Sequence, residues 1–312
     1  MSAVSFAPSP ILQALHFTDI DEFRRSVRKF CVDFTPLVRK ISVQQAILNL
    51  AAFDIVVVQS FPRIADTQLA ADTTAICFTM DDDEPVRFNG VDVDPAIVGI
   101  GHGHSGFSIA EKTGARLAVI NFAPEIHGRG WPDTRPHFGV FATTTAAQQK
   151  LRLLVWEVLK FASASSDELV LPTTMAAVKE SLLLAVDQLF AGTDSSRPRR
   201  SLHSARTFTL FHKIEAQLLD DFKSPIYSDA LAAAAGISVR TLQDVVAQYR
   251  GMSLHRYLRL KRLWLVRKRL LTGPVSVKTC ALEYGFWHMG DFSRNYQAHF
   301  GETPSQTLAQ AR

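Results

Sequence analysis

A helix-turn-helix pattern occurs twice in the last third of this chain, and no other feature constrains its fold so tightly. The first copy reads Gly236-Ile237-Ser238-Val239-Arg240-Thr241-Leu242, continues to Val246 and is followed by Gly251-Met252-Ser253-Leu254. The second reads Gly285-Phe286-Trp287-His288-Met289-Gly290-Asp291-Phe292, continues to Tyr296 and is followed by Gly301-Glu302-Thr303-Pro304. Each joins a turn glycine, two apolar anchor positions and a second glycine about fifteen residues later. Two such units in one chain can lay two helices into successive stretches of major groove. The spacing therefore predicts a reader of double-stranded DNA.

The first copy shows the physics most clearly. Ser228 and Asp229 offer a cap and an acidic first turn. Leu231, Ala232 and Ala235 make a small apolar face, with Ala232 small because the next helix crosses closely over it. Gly236 suits a left-handed turn that a side chain disfavours. Ile237 is expected in the core, Ser238 as the cap of the second helix, and Leu242, Val245 and Val246 as its anchors. Arg240, Thr241, Gln243 and Gln248 then point outward. In the second copy Cys280, Ala281 and Tyr284 replace Leu231, Ala232 and Ala235, and Ser276 caps the leading helix. Its turn is one residue longer, and Trp287-His288 stands where a good cap would be. Trp287 is read first as a packing residue and second as a DNA contact; His288 is a candidate phosphate or base donor. Between the copies, Leu254 to Leu271 reads as one continuous helix of roughly 27 Å. That length is close to the ~34 Å between successive groove faces.

This arrangement resembles the AraC/XylS family of bacterial transcription regulators. The matching residues are Gly251-Met252-Ser253, Tyr257-Leu258, Arg262-Leu263, Ala281, Gly285-Phe286, Phe292-Ser293-Arg294, Phe300-Gly301 and Pro304-Ser305. The likeness covers roughly residues 208–308. The stretches Gly285 to Gly290 and Pro304 to Leu308 resemble the branch that includes ethanolamine-utilisation regulators. By resemblance, base reading falls to Arg240, Gln243 and Asp244 in the first unit and to Met289, Asp291, Ser293 and Arg294 in the second. Asp244 departs from the pattern, since many members carry a basic residue there and an acid is repelled by phosphate. Thr241 and His288 complete the set of expected base contacts. Phosphate contacts are expected from Ser238, Gln248, Arg250, Arg259, Lys261 and Lys278. The resemblance also implies RNA polymerase as a partner and activation as the sign of control.

Charge supports the same reading independently. Residues 197–312 hold 18 lysines and arginines against 8 acids, whereas residues 1–196 hold 16 against 22. No acid lies between Asp244 and Glu283, while Arg250, Arg256, Arg259, Lys261, Arg262, Arg267, Lys268, Arg269 and Lys278 all do. One-signed charge of this kind supplies the salt-dependent, sequence-independent part of DNA affinity. A purely solvated face would mix both signs.

A chain of 312 residues suggests two domains. Residues 1–192 are expected to form an effector-sensing and dimerisation domain, 193–207 a linker and 208–308 the DNA-binding domain. The linker reading rests on Ala191 to Pro198, small, polar and proline-broken, followed by Arg199-Arg200. Cys31, Cys77 and Cys280 have neither metal nor disulfide spacing, which points to a reducing compartment. Neither a basic leader nor an apolar run of membrane-spanning length is present. A cytoplasmic protein that does not enter a membrane is expected.

The fold class expected is α+β, with an all-α C-terminal domain whose two helix-turn-helix units are joined by a linker helix. In the N-terminal part a short helix near Ile20–Phe30 precedes β-rich segments at Phe53–Ser60, Thr74–Met80, Pro85–Asp94, Ile97–Ile100, Phe107–Ala110 and Arg116–Phe122. Asn89-Gly90 and Thr113-Gly114 are turn signals. Short strands at this spacing predict a small β-barrel or sandwich, whose mouth is a natural site for a small organic effector. The family resemblance implies a cupin-like domain here, with no residue-level motif to locate the effector. Two helices follow, marked by Leu151, Leu154, Val155, Val158 and Leu159, and by Met175, Val178, Leu182, Val186 and Leu189. They either cover the barrel or form a homodimer interface.

Three constellations invite a chemical reading. His102-Gly103-His104 has the spacing of a cupin metal site, but the carboxylate expected four or five residues on is missing, and a glycine-rich turn fits better. His127 and His137 could join it only in space. Asp81-Asp82-Asp83-Glu84 reads as a solvated acidic loop. No nucleophile motif, phosphate loop or paired carboxylates occur, so neither catalysis, a metal nor a cofactor is expected. The alternatives are a metal-dependent cupin enzyme fused to a DNA-binding module, and a constitutive DNA-binding protein whose barrel serves assembly alone.

Overall fold

The structure, a computed structural model, describes residues 6–51, 53–81, 86–93, 96–122, 129–134, 138–191, 201–221, 228–273 and 275–310. The chain divides into two compact units: Met1–Phe34 with Lys40–Ser201, and Thr35–Arg39 with Leu202–Arg312.

The first unit opens with β1 (Leu12–Phe17), α1 (Ile20–Ser26), β2 (Phe30–Pro36), β3 (Val43–Leu50), β4 (Phe53–Gln59), β5 (Arg63–Leu69) and β6 (Thr74–Thr79). It continues with β7 (Val86–Phe88), β8 (Val91–Val93), β9 (Ile97–His102), β10 (Gly106–Glu111), β11 (Arg116–Phe122) and β12 (Gly139–Ala142). Helices α2 (Thr145–Ala164), α3 (Ser166–Leu169) and α4 (Pro172–Ala191) complete it. A seven-stranded sheet has the order β1-β3-β4-β11-β6-β9-β12, and a five-stranded sheet the order β2-β5-β10-β7-β8. Neighbours in the larger sheet are all antiparallel.

Strand alternation places each face of the larger sheet. Phe53, Ile55 and Val57 of β4, with Ala118, Ile120 and Phe122 of β11, pack against Leu151, Val155, Leu159, Leu182, Val186 and Leu189 of α2 and α4. The alternate residues, Asp54, Val56 and Val58 with Leu117, Val119 and Asn121, line a cavity that the smaller sheet also walls. This explains why Val56-Val57-Val58 is apolar throughout: both faces of the strand are covered. The helical stripes read from the sequence therefore cover the sheet.

Several expectations are refined. Within the segment expected from Pro85 to Asp94, Val86 to Val93 is a hairpin, turned by Asn89 (φ 46°) and Gly90 (φ 74°), as Asn-Gly demands; Pro85 and Asp94 lie outside the described residues. The helix near residue 20 ends at Ser26, because Phe30 already begins β2. Strands β1, β2, β3, β5 and β12 were not legible in the sequence. Arg63, Asp66 and Gln68 give β5 a polar look that hides its period of two.

The second unit is helical: α5 (Ser201–Asp221), α6 (Ser228–Ala235), α7 (Val239–Arg250), α8 (Leu254–Leu271), α9 (Val277–Glu283), α10 (Met289–Phe300) and α11 (Pro304–Gln310). Helix α8 has the bounds expected. Helix α5 occupies the last part of the expected linker 193–207; the hinge residues 192–200 lie outside the described residues. Among the described residues no single helix is long and apolar enough to cross a membrane.

Candidate nucleic-acid interface and a cavity in the first unit

Both helix pairs are built on the same backbone device. Gly236 (φ 74°) and Gly285 (φ 78°) take the left-handed conformation. The amides of Ile237 and Phe286 then donate back to the carbonyls of Ala232 and Ala281, each at 2.9 Å. A side chain at either glycine would strain the turn. Helices α6 and α7 meet at 89°. Ala232, Cys280 and Ala281 are buried at the crossings, as are the anchors Leu242, Val245, Val246, Phe292 and Tyr296. Gly251 and Gly301, also at positive φ, end α7 and α10.

The helix starts differ. Ser238 Oγ accepts from Thr241 N at 3.1 Å, a side-chain cap, and Ser276 does the same for Thr279 at 3.0 Å. His288 occupies the cap position of α10 without a side-chain cap bond. On α7, Arg240, Thr241, Gln243 and Asp244 are exposed; on α10, Asp291, Ser293 and Arg294 are exposed and Met289 half-buried. Arg240 stands 4.0 Å from Asp244, and Arg294 stands 3.4 Å from Asp291. Such surface pairs hold weakly, so each guanidinium can leave its acid for a base or phosphate.

Three expected roles require correction. Trp287 is not a packing residue: it is 64% exposed. Arg250 is not a surface cation. Its side chain is 0% exposed, paired with Glu215 at 2.8 Å, and its guanidinium lies 4.5 Å from the Phe211 ring and 4.9 Å from that of Tyr257. Tyr257 Oη donates to the same carboxylate at 2.6 Å. Lys261 is buried as well, its ammonium 6.0 Å from the Tyr257 ring. Arg250 clamps α5, α7 and α8 together through Glu215, Phe211 and Tyr257, and burial withdraws both cations from phosphate. For Arg250 the cause is α5, which contributes Phe211 and Glu215. Of the other expected phosphate contacts, Ser238, Arg259 and Lys278 are exposed and Gln248 half-buried; exposed Arg256 and Lys268 join them.

Further along, Tyr296 Oη donates to Thr307 Oγ1 at 2.8 Å, Thr307 reaches Glu302 at 2.7 Å, and Arg267 pairs with Glu302. This network ties α11 to α8 and α10. Beside it, burial pushes the His299 imidazole down to about 4.

In the first unit, the cavity between the sheets has a volume of about 430 Å³, in the range of small-molecule sites. It is lined chiefly by apolar side chains, with Arg63, Asp54 and Asn121 among the polar ones. Arg63 Nε donates to Glu111 Oε1 at 2.9 Å. Asn121 donates to Asp54, its register partner across β4 and β11, and Lys29 pairs with Asp54. The sequence offered one usable signal for these groups, the isolated polar residues Asp54 and Asn121 inside apolar strands.

The His102-Gly103-His104 segment ends β9 in a turn. His102 Nδ1 is 3.1 Å from Thr74 Oγ1, and His104 has positive φ. His127, His137 and Asp82 to Glu84 lie outside the described residues. Among the described residues no three His, Cys, Asp or Glu side chains are grouped to hold a metal. Burial raises the thiols of Cys77 to about 12 and Cys280 to about 11, which makes both poor nucleophiles.

Residues 231–310 match the family model described as a helix-turn-helix domain. The XylDLEGF operon transcriptional activator 3 of Pseudomonas putida is 35% identical over 101 residues, which is 31% of this chain and 30% of that protein. The HTH-type transcriptional activator RhaS of Pectobacterium carotovorum subsp. carotovorum (strain PC1) is 24% identical over 178 residues, 55% of this chain and 58% of that one. The crystal structure of a probable AraC family transcriptional regulator from Rhodopseudomonas palustris CGA009 is 32% identical, covering 33% of this chain and 98% of that chain, with a TM-score of 0.31. The match to the Pseudomonas activator spans less than a third of that protein's length. The C-terminal unit of this chain is a helix-turn-helix domain similar to those of AraC/XylS regulators.

Proposed function

We propose that this chain is a cytoplasmic, sequence-specific transcription regulator of the AraC/XylS type, an activator controlled by a small organic effector. One observation carries the reading: two helix pairs with the same turn geometry, each offering an exposed polar helix. Arg240, Thr241 and Gln243 read bases in the first half-site, and His288, Met289, Ser293 and Arg294 in the second. Ser238, Gln248, Arg259 and Lys278 hold phosphates. Exposed Trp287, at the mouth of the second turn, contributes apolar surface to the same interface. The finer kinship with ethanolamine-utilisation regulators rests on the Gly285 and Pro304 stretches alone.

Control is a population shift, in which the effector binds the DNA-competent arrangement more tightly than the other. The β-rich unit, read as cupin-like, holds the effector in its cavity. Exposed Leu153 on α2 and Leu184 on α4, 63% and 52% accessible, supply apolar surface for a homodimer. RNA polymerase is the further partner implied by the family likeness. The test is selection of bound duplexes from a random pool near physiological salt, by the full chain and by residues 206–312. Two enriched half-motifs about one helical turn apart are expected. Binding without enrichment, and without steep salt dependence, would refute the reading.

A further inference from the structure

Strand β2 starts in one unit and ends in the other. Its residues Phe30, Val32 and Phe34 line the cavity of the first unit. The residues that follow, Thr35–Arg39, belong to the second unit, and the chain returns to the first at Lys40. A segment incorporated in this way must satisfy its backbone and cover its apolar side chains within its new unit. Helices α8 and α10 provide for both.

Among the described residues, three grips hold the segment. The Trp264 indole of α8 donates to the Pro36 carbonyl at 3.3 Å. Leu37 joins Leu260 and Leu263 of α8 and Ala298 of α10 around a hollow of about 230 Å³. The Arg39 guanidinium fills the space that a Cβ would need at Gly301, the residue that ends α10. A cation there lies beside the negative end of the helix dipole. Thr35 and Pro36 are buried.

The two helix pairs show why the second has use for this segment. Tyr249, two residues before Gly251, is buried and stacks on Phe211 of α5 at 4.2 Å. His299 holds the matching place before Gly301, edge-on to Trp264 of α8 at 6.0 Å, and is only half-buried. The smaller ring leaves that corner of the second pair less filled, and the Pro36 backbone faces it. The grips fall on α8 and on the C-terminal half of α10, whereas Met289, Ser293 and Arg294 stand in its first half. Fixing one end of a rigid helix sets the direction of the other, on which base contacts depend.

We propose that Thr35–Arg39 is a structural part of the second helix pair, which positions α10 for its half-site and, through β2, makes that positioning answer to the wall of the cavity. This rests on the second unit being a reader of DNA.

The test is selection of bound duplexes by the full chain, scored separately for the half-motif that Arg294→Ala weakens and the one that Gln243→Ala weakens. The double variant Leu37→Asn with Arg39→Ser removes two of the three grips. It is expected to lower enrichment of the Arg294 half-motif roughly tenfold and to leave the other unchanged. Trp264→Phe keeps a ring but deletes the bond to Pro36, and is expected to lower the same half-motif about threefold. Val32→Phe, inside the cavity, is expected to alter that half-motif alone. Equal effects on both half-motifs, or none with the double variant, overturn the inference; indifference to Val32→Phe overturns its link to the cavity. Seating of the segment is read without DNA, from the His299 ring titrated by NMR. The ring is expected to titrate near 4 in the unaltered chain and closer to its ordinary value of about 6.5 in the double variant. Equal values in the two chains mean an unseated segment and overturn the inference by themselves. An unaltered chain that selects no motif while His299 responds sinks the proposed function, and the positioning role with it, but leaves the seating established.

Discussion

The two helix pairs share a turn but not a way of starting their second helix. In the first, Ser238 caps α7 from its side chain. In the second, His288 makes no such bond, and Trp287 beside it lies open to solvent. The common part is what backbone geometry requires: a glycine at positive φ and a small residue at the crossing. The part that differs is exposed, where packing imposes nothing. A side chain freed from capping and packing in this way is available for a ligand, which under the proposed function is nucleic acid. The same contrast separates the cations, since Arg240 and Arg294 stand in solvent beside single acids while Arg250 is sealed between α5 and α8.

The largest effect should come from the sealed cation. Arg250→Ala empties a fully buried site and leaves the half-buried Glu215 without its cation, held only by the Tyr257 hydroxyl, and should cost about 3–5 kcal/mol of stability in a denaturant titration. A loss within about 0.5 kcal/mol, the usual surface value, would return Arg250 to the surface and dissolve the contrast. On the exposed side, Gln243→Ala or Arg294→Ala should cost roughly 1–3 kcal/mol on a selected site and little on random DNA. Arg259→Ala should weaken both alike, and equal losses for all three would refute the division between base and phosphate contacts. The helix starts can be separated next. Ser238→Ala should destabilise by ~1 kcal/mol, whereas His288→Ala should leave the melt unchanged; equal costs would mean that the starts do not differ.

A pH titration bears on the second pair alone. His299 ordinarily titrates near 6.5 and is held down to about 4 when folded. Between those values the unfolded chain binds a proton that the folded chain does not, so stability is full above about pH 6.5 and falls as pH drops toward 4. His299→Gln should flatten that slope; an unchanged slope would assign it to other groups. The effect is modest because His299 keeps part of its surface in water. Smallest of all, Trp287→Ala should change stability by no more than about 0.5 kcal/mol while weakening DNA binding. A loss of about 3–5 kcal/mol, as for a core aromatic, would restore it to the packing role.

Legibility followed periodicity. Helix α8 and strand β11 have the expected bounds, because an uninterrupted basic-apolar helix and a clean apolar strand carry their period in the residues themselves. Strands β3 and β5 did not, since their cavity-facing positions are partly polar: Gln45 and Asn49 in one, Arg63 and Thr67 in the other. Polar residues facing the cavity break the pattern by which those two strands would be recognised, whereas in β4 and β11 the apolar run beside Asp54 and Asn121 is long enough to show the strand.

What the sequence determined by itself was local: the paired turns, their glycines and caps, and the excess of positive charge in the last third. These depend on residues within a few positions of one another and on composition. The tertiary structure alone decided which cations face water, because α5 brings Phe211 and Glu215 onto Arg250 from about forty residues away. It alone joined Arg63 and Asn121 across two sheets into one cavity. Burial and long-range pairing are properties of the packed chain, and no local pattern encodes them.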